Sequence, residues 1–76
     1  MFEYEIVKKE GDVIYYKMNE TSDKDLYSIC YVNTKTHKYG ISDSATLGGF
    51  VMHMLRTIRE FIETGVYKEK GIIAVF

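Results

Sequence analysis

The sequence contains no proline, no tryptophan and only one cysteine among its 76 residues. A single cysteine, Cys30, excludes an internal disulfide, and the chain has neither a CxxC pair nor a Cys/His cluster that could hold a structural metal. The absence of proline removes proline isomerisation as a slow step in folding. The sequence therefore predicts a protein with no structural metal and no cofactor.

A long apolar run and an excess of charge of one sign are also missing. The N-terminal residues MFEYEIVKKE lack the basic start and apolar stretch of a signal peptide, and the most apolar helical segment carries Arg56, Arg59 and Glu60. Ten Lys and Arg residues against eleven Asp and Glu residues give a net charge of -1, which argues against binding by neutralisation of many phosphates. We expect a soluble, cytoplasmic protein that does not enter a membrane.

Length and composition indicate one small domain spanning residues 1–76. The chain is 46% hydrophobic and 28% charged, which is too apolar for disorder, and it is too short for two cores. A domain near this size buries only about 60% of the surface that its unfolded chain exposes. Its stability should be marginal, so additional burial in a dimer would help.

Residues 43–64 form the stretch around which the other elements are arranged. Apolar side chains recur there at spacings of three and four, which predicts one stripe of an amphipathic helix. Capping residues favour a start near Ser44, and Gly65 is suited to the position after the last turn. A helix of about 20 residues is roughly 30 Å long, so only a sheet could cover its stripe. The stripe consists of Leu47, Phe50, Val51, Met54, Leu55, Ile58, Phe61 and Ile62.

Period-two alternation predicts strands on both sides of this helix. The first strand alternates Phe2, Tyr4 and Ile6 with carboxylates, residues 8–12 form a turn, and residues 13–18 return as a second strand. Residues 19–25 read as a loop, residues 26–33 as a third strand, residues 34–38 as a turn and residues 39–42 as a short fourth strand. Residues 71–76 are expected as a strand inside the sheet, since an exposed apolar tail would invite pairing with other chains. The core candidates of the second strand are Ile14, Tyr16 and Met18.

These elements predict an α+β fold with the order ββββαβ. Its antiparallel sheet has four to five strands, two hairpins plus the C-terminal strand, packed on one long amphipathic helix. The third strand is apolar on both faces, so the pattern does not decide whether the face with Tyr27, Ile29 and Tyr31 or the alternate face is buried.

Patterns for catalysis or ligand binding are weak. Gly48 and Gly49 near the helix start fit close packing better than a phosphate loop, because no GxxxxGK[ST] motif is present. His53 has no second ligand at metal spacing, and a mid-strand cysteine such as Cys30 is more often a small buried side chain than a nucleophile. We assign no catalytic, cofactor-binding or metal-binding residue and expect that the protein is not an enzyme.

Seven tyrosines are the one compositional excess. One helix can cover only one face of the sheet, so some of these rings must lie on the other face. Tyrosines are favoured anchors of protein interfaces, and they also stack on the bases of single-stranded nucleic acid when lysines are nearby.

The first hypothesis for the function is a non-catalytic interaction or regulatory protein that self-associates, as a homodimer, or binds a protein partner. The alternative is a single-stranded nucleic-acid binder that uses tyrosines and lysines of the open sheet face. The candidate interaction residues are Tyr15, Lys17, Tyr27, Tyr31, Met52, Ile73 and Phe76.

Overall fold

The structure is a computed structural model that describes residues 1–44 and 51–74. These residues form a five-stranded antiparallel sheet and one helix in the order ββββαβ, which confirms the α+β prediction. The elements are β1 (Phe2–Glu10), β2 (Val13–Glu20), β3 (Asp23–Asn33), β4 (Tyr39–Ser44), α1 (Val51–Thr64) and β5 (Lys70–Ile73).

The strands lie in the order β4-β3-β2-β1-β5, so consecutive hairpins account for four strands and the last strand returns beside the first. The predicted C-terminal strand is part of the sheet, as β5 beside β1, but among the described residues it lies at the edge of the sheet and not between two strands. The hairpins give β2 and β3 two neighbours each, which leaves room for another strand only beside β1 or β4. Val75 and Phe76 lie outside the described residues.

Both hairpins of β2 are tighter than expected. The turn predicted for residues 8–12 is only Gly11 and Asp12, with Gly11 at a φ of 55°, a conformation that glycine adopts without strain. The loop predicted for residues 19–25 is wrong in its extent, since only Thr21 and Ser22 form the turn. The strands continue through polar residues because a backbone ladder does not require apolar side chains, and a register shift after Asn19 absorbs the extra residues of β3.

The helix begins later than residue 44. Asp43 and Ser44 pair with Ile29 and Ser28 as the end of β4, so the helix does not include Ser44, and a start within the few residues that follow it lies outside the described residues. A pairing partner in β3 decided between strand and helix cap, and the local sequence could not reveal it. Residues 45–50, with Gly48 and Gly49, lie outside the described residues. The predicted stop is confirmed: Gly65 has a φ of 75°, and its N–H donates to the Phe61 carbonyl at 2.8 Å.

The core lies between α1 and one face of the sheet. The helix contributes Val51, Met54, Ile58 and Phe61. The prediction that Ile14, Tyr16 and Met18 form the buried face of β2 is confirmed, and β3 buries Ser28, Cys30 and Val32. The question left open for β3 is thereby answered, since Tyr27, Ile29 and Tyr31 point away from the helix.

An aromatic cluster closes the core beside β1. The ring centroids of Tyr4 and Tyr16 are 5.9 Å apart, and each ring is within 6 Å of Phe61, at 5.8 and 5.6 Å. The Tyr16 hydroxyl donates to the Lys68 carbonyl at 2.7 Å, which ties the segment after the helix to the core. Tyr4 also covers its β5 neighbour Gly71, where a Cβ would lie 2.5 Å from the Tyr4 hydroxyl oxygen.

We expect Gly71→Ala to lower the free energy of unfolding by about 1–3 kcal/mol, the usual cost of overpacking. Tyr4 is only 6% exposed, so its ring cannot move aside freely. The matched control is Gly40→Ala on β4, where the new Cβ would lie 3.2 Å from the hydroxyl oxygen of the half-buried Tyr31. Urea unfolding of both variants measures the difference. Equal stability of the two variants would contradict the assigned contact.

Candidate functional site: the open face of the sheet

The side of the sheet that faces away from α1 is called the open face. Side chains alternate along each strand, so the residues that flank the buried ones share this side. A register shift between Ile6 and Lys8 moves Lys8 onto it, opposite Tyr15. The open face carries Glu3, Glu5, Lys8, Glu10, Val13, Tyr15, Lys17, Asn19, Tyr27, Ile29, Tyr31, Asn33, Asp43, Lys70 and Ile72.

Its centre is an apolar band on the two middle strands, here called the tyrosine stripe: Val13, Tyr15, Tyr27, Ile29 and Tyr31. All five side chains are half-buried although the helix covers none of them. Tyr15 and Tyr31 are direct cross-strand partners, and side chains in that relation lie about 5 Å apart at Cβ. Ile29 lies between Tyr27 and Tyr31 at alternate positions of β3, so the five side chains are neighbours on one surface.

Two lysines are held against rings of the stripe. The Lys17 Nζ atom lies 4.8 Å from the centroid of the Tyr27 ring, and the Lys8 Nζ atom lies 5.4 Å from that of Tyr15. Such cation–π contacts are worth about 0.5–1 kcal/mol at exposed sites. They bias both ammonium groups toward the rings, and the Lys8 ammonium group also forms an ion pair with Glu10 at 2.6 Å.

Tyr31 is fixed by a glycine. It is the cross-strand partner of Gly40 on β4, and its ring lies where a side chain at residue 40 would be. A tyrosine that lies across a glycine of an edge strand covers backbone that would otherwise be exposed. The position of this ring is thus set by the sheet itself.

The side of the open face near β1 and β5 is polar and bears both signs of charge. The Asn19 side-chain amide donates to Glu3 Oε1 at 3.0 Å and to the Glu20 carbonyl at 3.1 Å, and Asn19 is only 6% exposed. A shallow cleft of about 570 Å³ lies beside it. Its lining includes Glu3, Glu5, Asn19, Lys24, Lys70 and Ile72.

Four of the seven candidate interaction residues, Tyr15, Lys17, Tyr27 and Tyr31, meet on this face. The other three do not join them. Met52 lies on the outer side of α1 and is 62% exposed, Ile73 packs half-buried against the core, and Phe76 lies outside the described residues. Sequence reasoning missed Ile72, which is 64% exposed and could have been found from the alternation of β5. It also missed Lys8, because the register shift that turns this side chain has no clear signal in the sequence.

The remaining reactive groups form no site among residues 1–44 and 51–74. Within these ranges, no three His, Cys, Asp or Glu side chains are grouped so that they could hold a metal ion. Cys30 is fully buried, and burial raises the pKa of its thiol to about 11. A thiol in that state carries little thiolate at neutral pH, so it is a poor nucleophile.

Comparisons with known proteins assign no family. No protein-family model matches the chain, and neither curated proteins nor solved structures gave a match. Within the part that the structure describes, no helix has the length and hydropathy needed to cross a bilayer. The function is therefore argued from the open face.

We expect Cys30 to react with a thiol reagent at neutral pH only as fast as the protein opens. Its burial and raised pKa both oppose attack in the folded state. Labelling followed by mass spectrometry, in buffer and in concentrated denaturant, checks this. If labelling were as fast in buffer as in denaturant, the Cys30 side chain would not be buried in the folded protein.

Proposed function

We propose that this chain is a small non-catalytic interaction protein that forms a homodimer by packing the open faces of two copies against each other. The observation that carries the proposal is the tyrosine stripe, an organised apolar surface on the side of the sheet opposite α1. Tyrosine rings are favoured at interfaces because a large ring can be buried while its hydroxyl keeps a hydrogen bond.

The open face has a size that suits this role. Strands about 4.8 Å apart with a rise of about 3.3 Å per residue give a five-stranded sheet of this length a flat area on the order of 500 Å². Side chains add accessible surface to that figure. A standard interface takes about 800 Å² from each partner, so pairing of two open faces would use most of each face.

The charges of the open face are compatible with pairing to itself. A two-fold interface brings the same patch together from both copies, so a patch of one sign would repel its copy. Here the carboxylates of Glu3 and Glu5 share the face with the ammonium groups of Lys8, Lys17 and Lys70. The long lysine stems can cover apolar surface while the charged ends stay at the rim.

We expect Ile29→Glu to halve the mass of the assembly by abolishing the open-face contact, because it places a carboxylate at the centre of the tyrosine stripe in both copies. Ile29 lies opposite Lys17 on one side and Asp43 on the other, so in the monomer the new carboxylate has one oppositely charged and one like-charged cross-strand neighbour, whose effects on stability oppose each other. Light scattering over a concentration series measures the mass, and urea unfolding checks that the variant remains folded.

Met52→Glu is the matched control, because Met52 is an exposed apolar residue on the other side of the molecule. It should keep the wild-type mass. A wild-type protein that is monomeric at every concentration would refute the homodimer. Loss of the dimer in Met52→Glu, with Ile29→Glu unchanged, would place the interface on the helix instead.

The second candidate function is single-stranded nucleic-acid binding by the same face. The observation that favours it is the grouping of three tyrosines with two lysines, since base stacking is worth about 1–3 kcal/mol per base. Two features disfavour it. The lysine ammonium groups already lie over the Tyr15 and Tyr27 rings, and the neighbouring Glu3 and Glu5 side chains repel phosphates.

We expect no saturable binding when labelled single-stranded oligonucleotides are titrated at low salt, the condition that most favours phosphate contacts. Fluorescence anisotropy measures it. Saturable binding that weakens with added salt and is lost in Tyr15→Ala would make nucleic-acid binding the better function.

A further inference from the structure

The outer edge of β5 presents a regular strand. In the part of the chain that the structure describes, β5 is the last strand of the sheet on the β1 side, and it pairs with β1 without a register shift. Its side chain Ile72 is 64% exposed on the open face. A regular edge with an exposed apolar side chain is a template for another strand.

The ladder shows which backbone groups point outward. The Ile6 N–H donates to the Glu69 carbonyl at 2.8 Å, in continuation of the register that pairs Tyr4 with Gly71. Hydrogen-bonded pairs alternate along an antiparallel ladder, so the backbone groups of Gly71 and Ile73 point toward β1. Those of Lys70 and Ile72 therefore point away from the sheet.

The opposite edge is less suited to accept a strand. The register of β4 shifts between its pairs with Ile29 and Cys30, so Ser42 is an extra residue in that strand. Such irregularities are one way in which natural proteins prevent pairing at an edge. On β5 the protections are its short length and the charge of Lys70.

We propose that β5 pairs antiparallel with β5 of a second copy, centred on Ile72, so that two sheets join into one of ten strands. The two-fold axis of this pairing is perpendicular to the sheet, so the open face of each copy stays accessible. The proposal is thus independent of the open-face homodimer. A two-fold contact of this kind closes on itself and does not extend into a fibre.

The register follows from charge and apolar contact. Pairing centred on Lys70 would place two lysines directly opposite each other, which is unfavourable. Pairing centred on Gly71 would place Lys70 opposite the exposed Ile72 of the second copy. Centring on Ile72 puts the two exposed isoleucines together and sets Lys70 opposite the small Ala74 of the second copy. It also puts Ile73 opposite the second copy's Gly71, over which the Tyr4 ring lies.

Disulfide formation tests this register. Directly opposed residues of a hydrogen-bonded pair have Cα atoms about 5.5 Å apart, within the 4.4–6.8 Å range of disulfides. Ile72→Cys should therefore form a covalent dimer under mild oxidation at least tenfold faster than Met52→Cys, a control of similar exposure. Lys70→Cys should stay as slow as the control. In this register residue 70 faces Ala74 of the second copy, so the two residues 70 are displaced by four positions along the strands, roughly 13 Å. The native Cys30 is buried and can remain.

Equal rates for Ile72→Cys and Met52→Cys would overturn the proposal, and so would a faster reaction of Lys70→Cys than of Ile72→Cys. Repeating the oxidation of Ile72→Cys in the Ile29→Glu background separates the two interfaces. Persistence of the fast reaction there supports pairing through β5 whatever the outcome for the open face, whereas its loss would overturn an independent β5 contact. Urea unfolding of each reduced variant verifies that the sheet is intact.

Discussion

The packing of one helix against one face of the sheet is the interaction on which the rest of this structure depends. Val51, Met54, Ile58 and Phe61 bury the side chains of β1, β2 and β3 that point toward them. Because side chains alternate along a strand, this burial assigns every other residue of the sheet to the opposite side. The tyrosine stripe exists because a chain of 76 residues has alternating apolar positions on both sides of β3 and one described helix to cover them.

The aromatic cluster extends the contact between helix and sheet to the segment that precedes the edge strand β5. Phe61 contacts Tyr4 and Tyr16 from the helix, and its ring centroid lies 6.3 Å from that of Tyr67 in the segment that leads to β5. The bond from Tyr16 to the Lys68 carbonyl fixes the same segment. The segment before β5 is thus held to the core, while the ladder with β1 sets the outward direction of the Lys70 and Ile72 backbone groups.

The sequence predicted what depends on periodicity and missed what depends on pairing. The alternation in β2 identified Ile14, Tyr16 and Met18 correctly, and the helix stop at Gly65 was confirmed by its backbone conformation. The buried side of β3 could not be chosen, because Cys30 and Tyr31 are comparable in local pattern and only the position of the helix distinguishes them. The strand pairing of Asp43 and Ser44, the hairpin lengths and the edge position of β5 all depend on strands that are distant in the sequence.

The candidate site divides in the same way. Tyr15 and Lys17 were predicted for the open face because β2 has a clear buried side, whereas Lys8 reaches this face through a register shift that depends on the pairing of β1 with β2. Exposure of Ile72 needed only the alternation of β5, but its place at an edge needed the sheet order. The local pattern of the sequence thus predicted that an open face exists, and strand pairing determined which other residues belong to it.

The contacts that order the open face also favour one kind of partner. Lys17 on Tyr27, Lys8 on Tyr15, and Tyr31 across Gly40 hold three rings before anything binds. Binding usually costs about 0.5–1.5 kcal/mol for each long side chain that becomes ordered, so rings that are already held reduce this cost for a rigid protein surface. A base needs the face of a ring, and over Tyr15 and Tyr27 it would have to displace a lysine first. The same contacts lower the ordering cost of the proposed homodimer, whereas a base that stacks on either ring would lose about 0.5–1 kcal/mol of lysine contact out of the roughly 1–3 kcal/mol that stacking contributes.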